Sequence, residues 1–163
     1  MSELIIRDVE SQDNTTLIEL VNVTLDEFGA QGPGYAMSDE ELLDMNTSYQ
    51  LEGKHYFVVE QGGKVLGGAG IAPLDGEEDS GVCELRKMYF SPELRGQGVG
   101  KTLIDLCINK AKEIGYHSMY LETINSMEVA QKLYKSRGFK YLDKRMGNTG
   151  HSACPVFMLK KLD

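Results

Sequence analysis

The chain has 163 residues, 41 % hydrophobic and 26 % charged, with a formal net charge of -8. That size and mixture suit one domain spanning residues 1–163 around one core. No apolar run reaches the ~20 residues that cross a bilayer, and so acidic a chain, with no basic stripe, is poorly suited to a nucleic-acid backbone. The N-terminus is acidic at once and carries no basic region, so it does not read as a secretory signal. Cys83, Cys107 and Cys154 form no CxxC pair. No disulfide framework and no metal site is therefore expected, and a reducing cytoplasm is the expected location.

Residues 4–9 alternate as a first strand. Asp13 is placed to cap a helix over 15–28, whose Leu17, Leu20, Val21, Thr24 and Leu25 share a face. Residues 29–34, Gly-Ala-Gln-Gly-Pro-Gly, form a loop of breakers. Ser38 and Glu41 have capping-box spacing and predict a short helix to about Met45. Strands over 55–60 and 64–73 are joined by a Gly62-Gly63 turn. Gly67, Gly68 and Gly70 in the second strand mark a bulge or a close approach of another backbone. After an acidic turn at 75–81, a strand over 83–90 places Glu84, Arg86, Met88 and Phe90 on one face, and Cys83, Leu85, Lys87 and Tyr89 on the other. A helix to about Ile114 carries the stripe Leu103, Ile104, Cys107, Ile108 and Ala111 and stops at Gly115. A strand over 118–123, a helix over 126–136 stopped by Gly138, and strands over 139–142 and 154–162 complete the chain. This order predicts an α+β fold, with a central mixed sheet flanked by helices.

Arg95-Gly96-Gln97-Gly98-Val99-Gly100 stands between a strand and a helix. Glycines there let backbone N–H groups converge on one point at a positive helix end, which suits a phosphate or pyrophosphate. A Walker loop would need glycine where Arg95 stands, ahead of Gly100-Lys101-Thr102. The dinucleotide fingerprint would need one at Lys101 or Leu103.

The six residues match (Gln/Arg)-x-x-Gly-x-(Gly/Ala), and in this the chain resembles the GNAT superfamily of acyl-CoA transferases. Met88-Tyr89-Phe90 followed by Pro92 is similar to the family's splayed strand end. Ala130-Gln-Lys-Leu133-Tyr134-Lys-Ser-Arg-Gly138-Phe139 is similar to its Ala-x-x-Leu-Tyr-x-x-x-Gly-Phe. The detailed resemblance covers roughly residues 55–142 and implies the GNAT acyltransferase fold, with a mostly antiparallel sheet. It also implies acetyl-CoA as cosubstrate and direct transfer of its acetyl group, in a ternary complex, to an amine of a small molecule or protein. The backbone of Met88, Tyr89 and Phe90 would then hold the pantetheine arm like an added strand. Gly96, Gln97, Gly98, Val99, Gly100 and Lys101 would cradle the pyrophosphate, with Arg95 bracing the loop or meeting a phosphate and Thr102 adding a hydroxyl. Asn125 would touch the pantetheine or a phosphate, although the family's asparagine seven residues before the tyrosine is here Met127. Tyr134 would protonate the leaving thiolate. A homodimer paired through C-terminal strands is a further implication.

An amine of pKa ~10.4 must lose a proton before attack, and the carbonyl oxygen needs N–H donors. Glu84 aligns with the catalytic glutamate of the histone-acetyltransferase branch and, by alternation, shares a face with Met88. It is the expected base, against the plainer reading of an ion pair with Arg86 or Lys87. Glu122 is a second candidate. His151 would line the acceptor pocket or act as base near neutral pH. A thiolate at Cys154, three residues on, lacks an orienting group, and direct transfer does not need one. Phe28 and Tyr35, with Asp39 and Glu40, are candidate acceptor contacts. Overall acidity would attract a cationic acceptor or simply keep the chain soluble. A non-catalytic acetyl-CoA sensor is the alternative; it would need the loop but neither Tyr134 nor Glu84.

Overall fold

A computed structural model describes residues 3–30 and 32–163, without the side chain of Ser38. Among these residues, strands β1 (Leu4–Asp8), β2 (His55–Gln61), β3 (Lys64–Pro73), β4 (Val82–Phe90), β5 (Ser118–Thr123), β6 (Lys140–Tyr141) and β7 (Val156–Lys161) form one sheet. Their order is β1-β2-β3-β4-β5-β7-β6. Only the β4–β5 pair is parallel. The expected mixed, mostly antiparallel α+β sheet is therefore present.

Helix α3 (Val99–Ile114) crosses between the two parallel strands, as a parallel pair requires. Its Leu103, Ile104, Cys107, Ile108 and Ala111 are buried against Val59, Ala69, Ile71, Leu85 and Met119 of the sheet. Tyr134 of α4 (Glu128–Ser136) joins the same core. On the opposite face, α1 (Asn14–Glu27) buries Leu17, Val21 and Leu25 with Tyr56, Val58 and Ala72. Each fully buried Leu or Ile side chain contributes about 1.5–3 kcal/mol.

Three local expectations are corrected. Asp13 does not cap α1 with its side chain. The 3-10 turn Ser11–Asp13 precedes the helix and leaves Asp13 at φ -85°, ψ -14°. Its carboxylate instead accepts from the Glu10 N–H (2.8 Å) and from Arg7 (2.8 and 3.0 Å). The expected helix from Ser38 to Met45 is two 3-10 turns, Ala36–Ser38 and Glu40–Asp44, followed by α2 (Met45–Ser48). The capping role of Ser38 lies outside the described residues, as does the Gln31 part of the 29–34 loop. Glu41 spends its oxygens on Tyr49, Arg86 and Lys87, while Asp44 caps α2 at Thr47 N (3.1 Å).

The third correction shapes the site. Gly70 pairs with Arg86 but Gly68 with Tyr89, so β4 carries one residue more than β3 opposite it. The bulge falls at Lys87, which among the described non-glycine residues alone has positive φ, 49°. Alternation therefore breaks. Glu84, Arg86 and Lys87 all reach side chains on the α1 face or the 149–151 loop, whereas Met88 and Phe90 pack into the α3 core. Glu84 and Met88 do not share a face as strict alternation predicts.

Candidate active site

Beyond Glu84 and Tyr120, β4 and β5 cease to pair and part. The gap is a slot of about 50 Å³, lined among others by Glu84, Met88, Tyr89, Leu121, Tyr134 and His151. Burial raises the Tyr134 phenol far above its usual range, so it keeps its proton at neutral pH. Its ring packs on Phe139, with centroids 5.8 Å apart.

The glycine loop follows the end of β4. Gly96 and Gly98 have φ +81° and +76°, and no atom lies within 4 Å of where a Cβ would stand on either. Gly98 is also the residue before α3, so the open backbone sits at a helix N-terminus. Arg95 grips Glu27 at the end of α1 (2.5 and 2.8 Å) and donates to the Phe90 carbonyl (3.0 Å). These contacts tie the start of the loop to the end of α1 and to the end of β4. Gln97 fastens the loop to the Glu93 carbonyl (2.9 Å) and Thr102 donates back to Gly98 (3.5 Å), while Lys101 is exposed. Gly100 is packed, since a Cβ there would stand 3.0 Å from Leu133.

At its other end the slot meets a buried network of charge. Glu84 is 2 % exposed; its Oε1 accepts from Arg86 Nε (2.7 Å), and its Oε2 lies 3.8 Å from His151 Nδ1. Arg86 also donates to Glu41 (2.6 Å) and Asp75 (3.2 Å), and Lys87 Nζ to Asp39 (2.6 Å) and Glu41 (2.9 Å). His151 Nε2 is 2.9 Å from Asp39 Oδ2. The Glu122 side chain is buried, accepts from Tyr120 (2.6 Å), Arg145 (3.3 Å) and the Thr149 hydroxyl, and comes within 3.8 Å of His151 Nδ1. The ligand atoms of Glu84, Glu122 and His151 all lie within 4.8 Å of one another, a spacing that a cation can bridge.

Burial raises the Glu84 pKa, against the attraction of Arg86 and His151. For His151, burial alone would lower it, but the Asp39 hydrogen bond and the charges of Asp39 and Glu84 outweigh that and raise it. Burial would raise Asp39, and its bonds to His151 and Lys87 prevail and lower it. The Cys154 thiol is pushed up to about 12, chiefly by burial, so it is no thiolate nucleophile at neutral pH.

Arg86 and His151 also line a second, outer cavity of about 320 Å³ with Asp39, Glu40, Glu41, Asp75 and Thr149. The two side chains stand between the slot and this well.

The family model described as the acetyltransferase (GNAT) family matches residues 17–139. The chain belongs to that family. It is 40 % identical over 159 residues to the uncharacterised N-acetyltransferase YjgM of Escherichia coli, covering 97 % of this chain and 95 % of that one. Its fold matches the phosphinothricin acetyltransferase of Sinorhizobium meliloti, solved with acetyl-CoA. The TM-score is 0.75 at 22 % identity, over 99 % of this chain and 89 % of that one. It also matches the PaiA N-acetyltransferase of Thermoplasma acidophilum, solved with coenzyme A. There the TM-score is 0.75 at 21 % identity, over 98 % and 99 % of the two chains. With these relations the chain is an N-acetyltransferase of the GNAT family, and the catalytic reading is favoured over a sensor.

Within that GNAT framework the residues singled out by sequence divide into groups. Glu84, Met88, Tyr89, Tyr134, His151 and Tyr35 line the slot. Phe28 lines neither cavity; it ends α1 and lies under the Arg95 guanidinium, 5.6 Å from its ring centroid. Asn125 is exposed in the turn after β5, while Met127 lines the slot. Sequence reasoning did not foresee the Arg86–Lys87 clamp on Asp39 and Glu41. The one hint was Glu41, whose spacing from Ser38 equally suited a cap. Among the described residues, no helix is long and apolar enough to cross a membrane.

Proposed function

We propose that the protein transfers the acetyl group of acetyl-CoA to a primary amine that enters through the acidic outer well. The observation that carries this is the continuity of slot and well at His151 and Arg86. Acetyl-CoA supplies the activated acyl carbon. Every other part is played by the chain's own groups.

The open N–H groups of the loop at Gly96–Lys101 hold the pyrophosphate, and the Met88–Phe90 backbone takes the pantetheine where β5 has left β4 unpaired. The Met88 N–H meets the carbonyl oxygen, in the role that N–H donors play wherever such an oxygen gains charge. The acceptor ammonium seats among Glu84, Glu122 and His151. With Asp39 accepting from Nε2–H, the neutral imidazole presents Nδ1 as its lone-pair nitrogen, facing Glu84 and Glu122. Nδ1 takes the ammonium proton, and Glu84, held by Arg86, steadies the imidazolium that results. The amine nitrogen then bonds to the acyl carbon as the carbon–sulfur bond breaks; Tyr134 gives its proton to the departing sulfur and is reprotonated by the second proton that the new amide nitrogen sheds. Glu84 was the expected base; in this arrangement it acts beside His151.

Asp39, Glu40, Glu41 and Asp75 at the well favour a cationic acceptor. The free thiols of Cys83, Cys107 and Cys154 suit a reducing cytoplasm. The test is mass-spectrometric detection of acetylated product from acetyl-CoA and a pooled panel of diamines, polyamines, amino acids and peptides. Product from the cationic members carries the reading. Acetylation only of zwitterionic or neutral amines would sink the role of the well, and no acetyl-CoA binding would sink that of the loop.

A further inference from the structure

Tyr56 of β2 stands opposite Gly70 of β3. Its ring lies across β3 where no side chain intervenes. A Cβ on Gly70 would stand 2.4 Å from the ring, and one on Gly68 2.6 Å from it. The ring thus spans a whole strand and brings its hydroxyl to β4, where it donates to the Lys87 carbonyl at 2.6 Å. That carbonyl belongs to the bulge residue, the one held at φ 49°. Tyr56 is 2 % exposed, so no water competes for the bond.

The peptide joining Lys87 to Met88 is planar and trans, so its carbonyl and its N–H point in opposite directions. Tyr56 draws the carbonyl toward β3. The Met88 N–H is thereby turned away from the Tyr56 hydroxyl, and the edge of β4 that β3 does not cover is the one that β5 has left. We propose that Tyr56 is a positioning residue: its hydroxyl on the Lys87 carbonyl fixes the bulge peptide so that the Met88 N–H faces the acyl carbonyl in the slot. Gly68 and Gly70 serve the same end by leaving room for the ring. This rests on the acetyl-CoA reading above and adds to it a residue from a strand that does not border the slot.

The test uses the full chain with ¹⁵N-labelled methionine and follows the Met88 amide resonance, assigned by its loss in Met88→Leu. Coenzyme A lacks the acyl carbonyl, so the extra downfield shift with acetyl-CoA over coenzyme A reads the hydrogen bond to it. Wild-type protein shows that extra shift. Tyr56→Phe keeps the ring and loses only the hydroxyl; the extra shift falls by at least about half, whereas coenzyme A affinity stays within about threefold. An equal extra shift in Tyr56→Phe overturns the inference. No extra shift in wild type overturns the reading beneath it. Gly68→Ala keeps the hydroxyl but forces the ring from its seat, and gives the same loss; a full extra shift there also overturns the inference, even were Tyr56→Phe not to fold. With an acceptor in hand, kcat of Tyr56→Phe drops about tenfold at nearly constant KM, a split that general loosening of the fold would not produce.

Discussion

The slot and the well meet at two side chains yet are built by opposite means. Away from that junction the donor side is made of backbone and apolar groups: the parting of β4 from β5, the faces of Leu121 and Tyr134 in the slot, and the left-handed glycines 96 and 98 of the loop that follows β4. The well is made of charge, with Asp39, Glu40, Glu41 and Asp75 around Arg86 and His151. A backbone cradle recognises a phosphate or an amide whatever its side chains, so it suits a donor of fixed shape. A charge network is specific to the ligand that completes it, because burying unpaired charge costs several kcal/mol. Donor binding and acceptor choice are thereby separable, and variants on the two sides should fail differently.

The largest effect is expected on the charged side. His151→Gln keeps a polar group of similar size but no base, and kcat falls by about 10²–10⁴-fold, with acetyl-CoA affinity within about threefold. Stopped-flow turnover and calorimetric binding on one preparation decide this; parallel loss of both would erase the division. Gly98→Val is the mirror case. A β-branched residue at φ +76° is strained by roughly 2 kcal/mol, so the loop leaves its conformation and acetyl-CoA affinity drops on the order of 10–100-fold. The acceptor KM should hardly move. A normal acetyl-CoA affinity would show that the loop is not the cradle.

The same division decides what could be read in the sequence. β3 and β5 match their expected spans, the α3 stripe is buried as expected, and Gly115 ends that helix in a left-handed conformation. These features follow from local periodicity and from glycine's access to positive φ, which neighbouring residues reveal. The glycine loop was legible for the same reason. The β3 glycines announced a bulge or a close approach, and both are found there, but not that an extra residue would fall at Lys87 of β4, which only the register with the partner strand reveals. Gly68 and Gly70 are themselves explained only by Tyr56 arriving from a third strand. The His151–Asp39 pair joins residues 112 apart in the chain, and no local pattern announces it. Asp39 had stood out only as a loop carboxylate near the acceptor.

Tyr134→Phe tests the slot from within. A thiol of pKa ~8.5 is already a fair leaving group, so the phenol's proton is worth about tenfold in kcat. Its burial in the α3 core limits the structural cost of losing one hydroxyl. Loss of acetyl-CoA affinity equal to the loss of turnover would make Tyr134 a packing residue rather than an acid.

The finest division lies within the network itself, at Asp39→Asn. The ring of His151 meets Asp39 at Nε2, and Glu84 and Glu122 at Nδ1, and the Lys87 charge works against its protonation. As a base it must be neutral, so kcat/KM rises with pH through the raised value, above the ordinary ~6.5. Asp39→Asn removes a charge 2.9 Å away; burial and Lys87 then weigh more, and the limb moves to lower pH by about one unit. Stability follows the same linkage. The bond to Asp39 stabilises the fold fully below about pH 6.5 and loses that effect as pH climbs through the raised His151 value. The stability gap between wild type and Asp39→Asn therefore narrows from pH 6 to pH 9. At the acid end Asp39's own lowered pKa acts: its contribution is present above ~3.8 and fades as pH falls through the folded value. Chemical denaturation at pH 6, 7.5 and 9, beside a kcat/KM profile, reads both. A limb that stays in place, or moves upward, would show that His151 is not the group whose deprotonation admits the amine, and would return that role to Glu84, whose tie to Arg86 the Asn variant leaves intact.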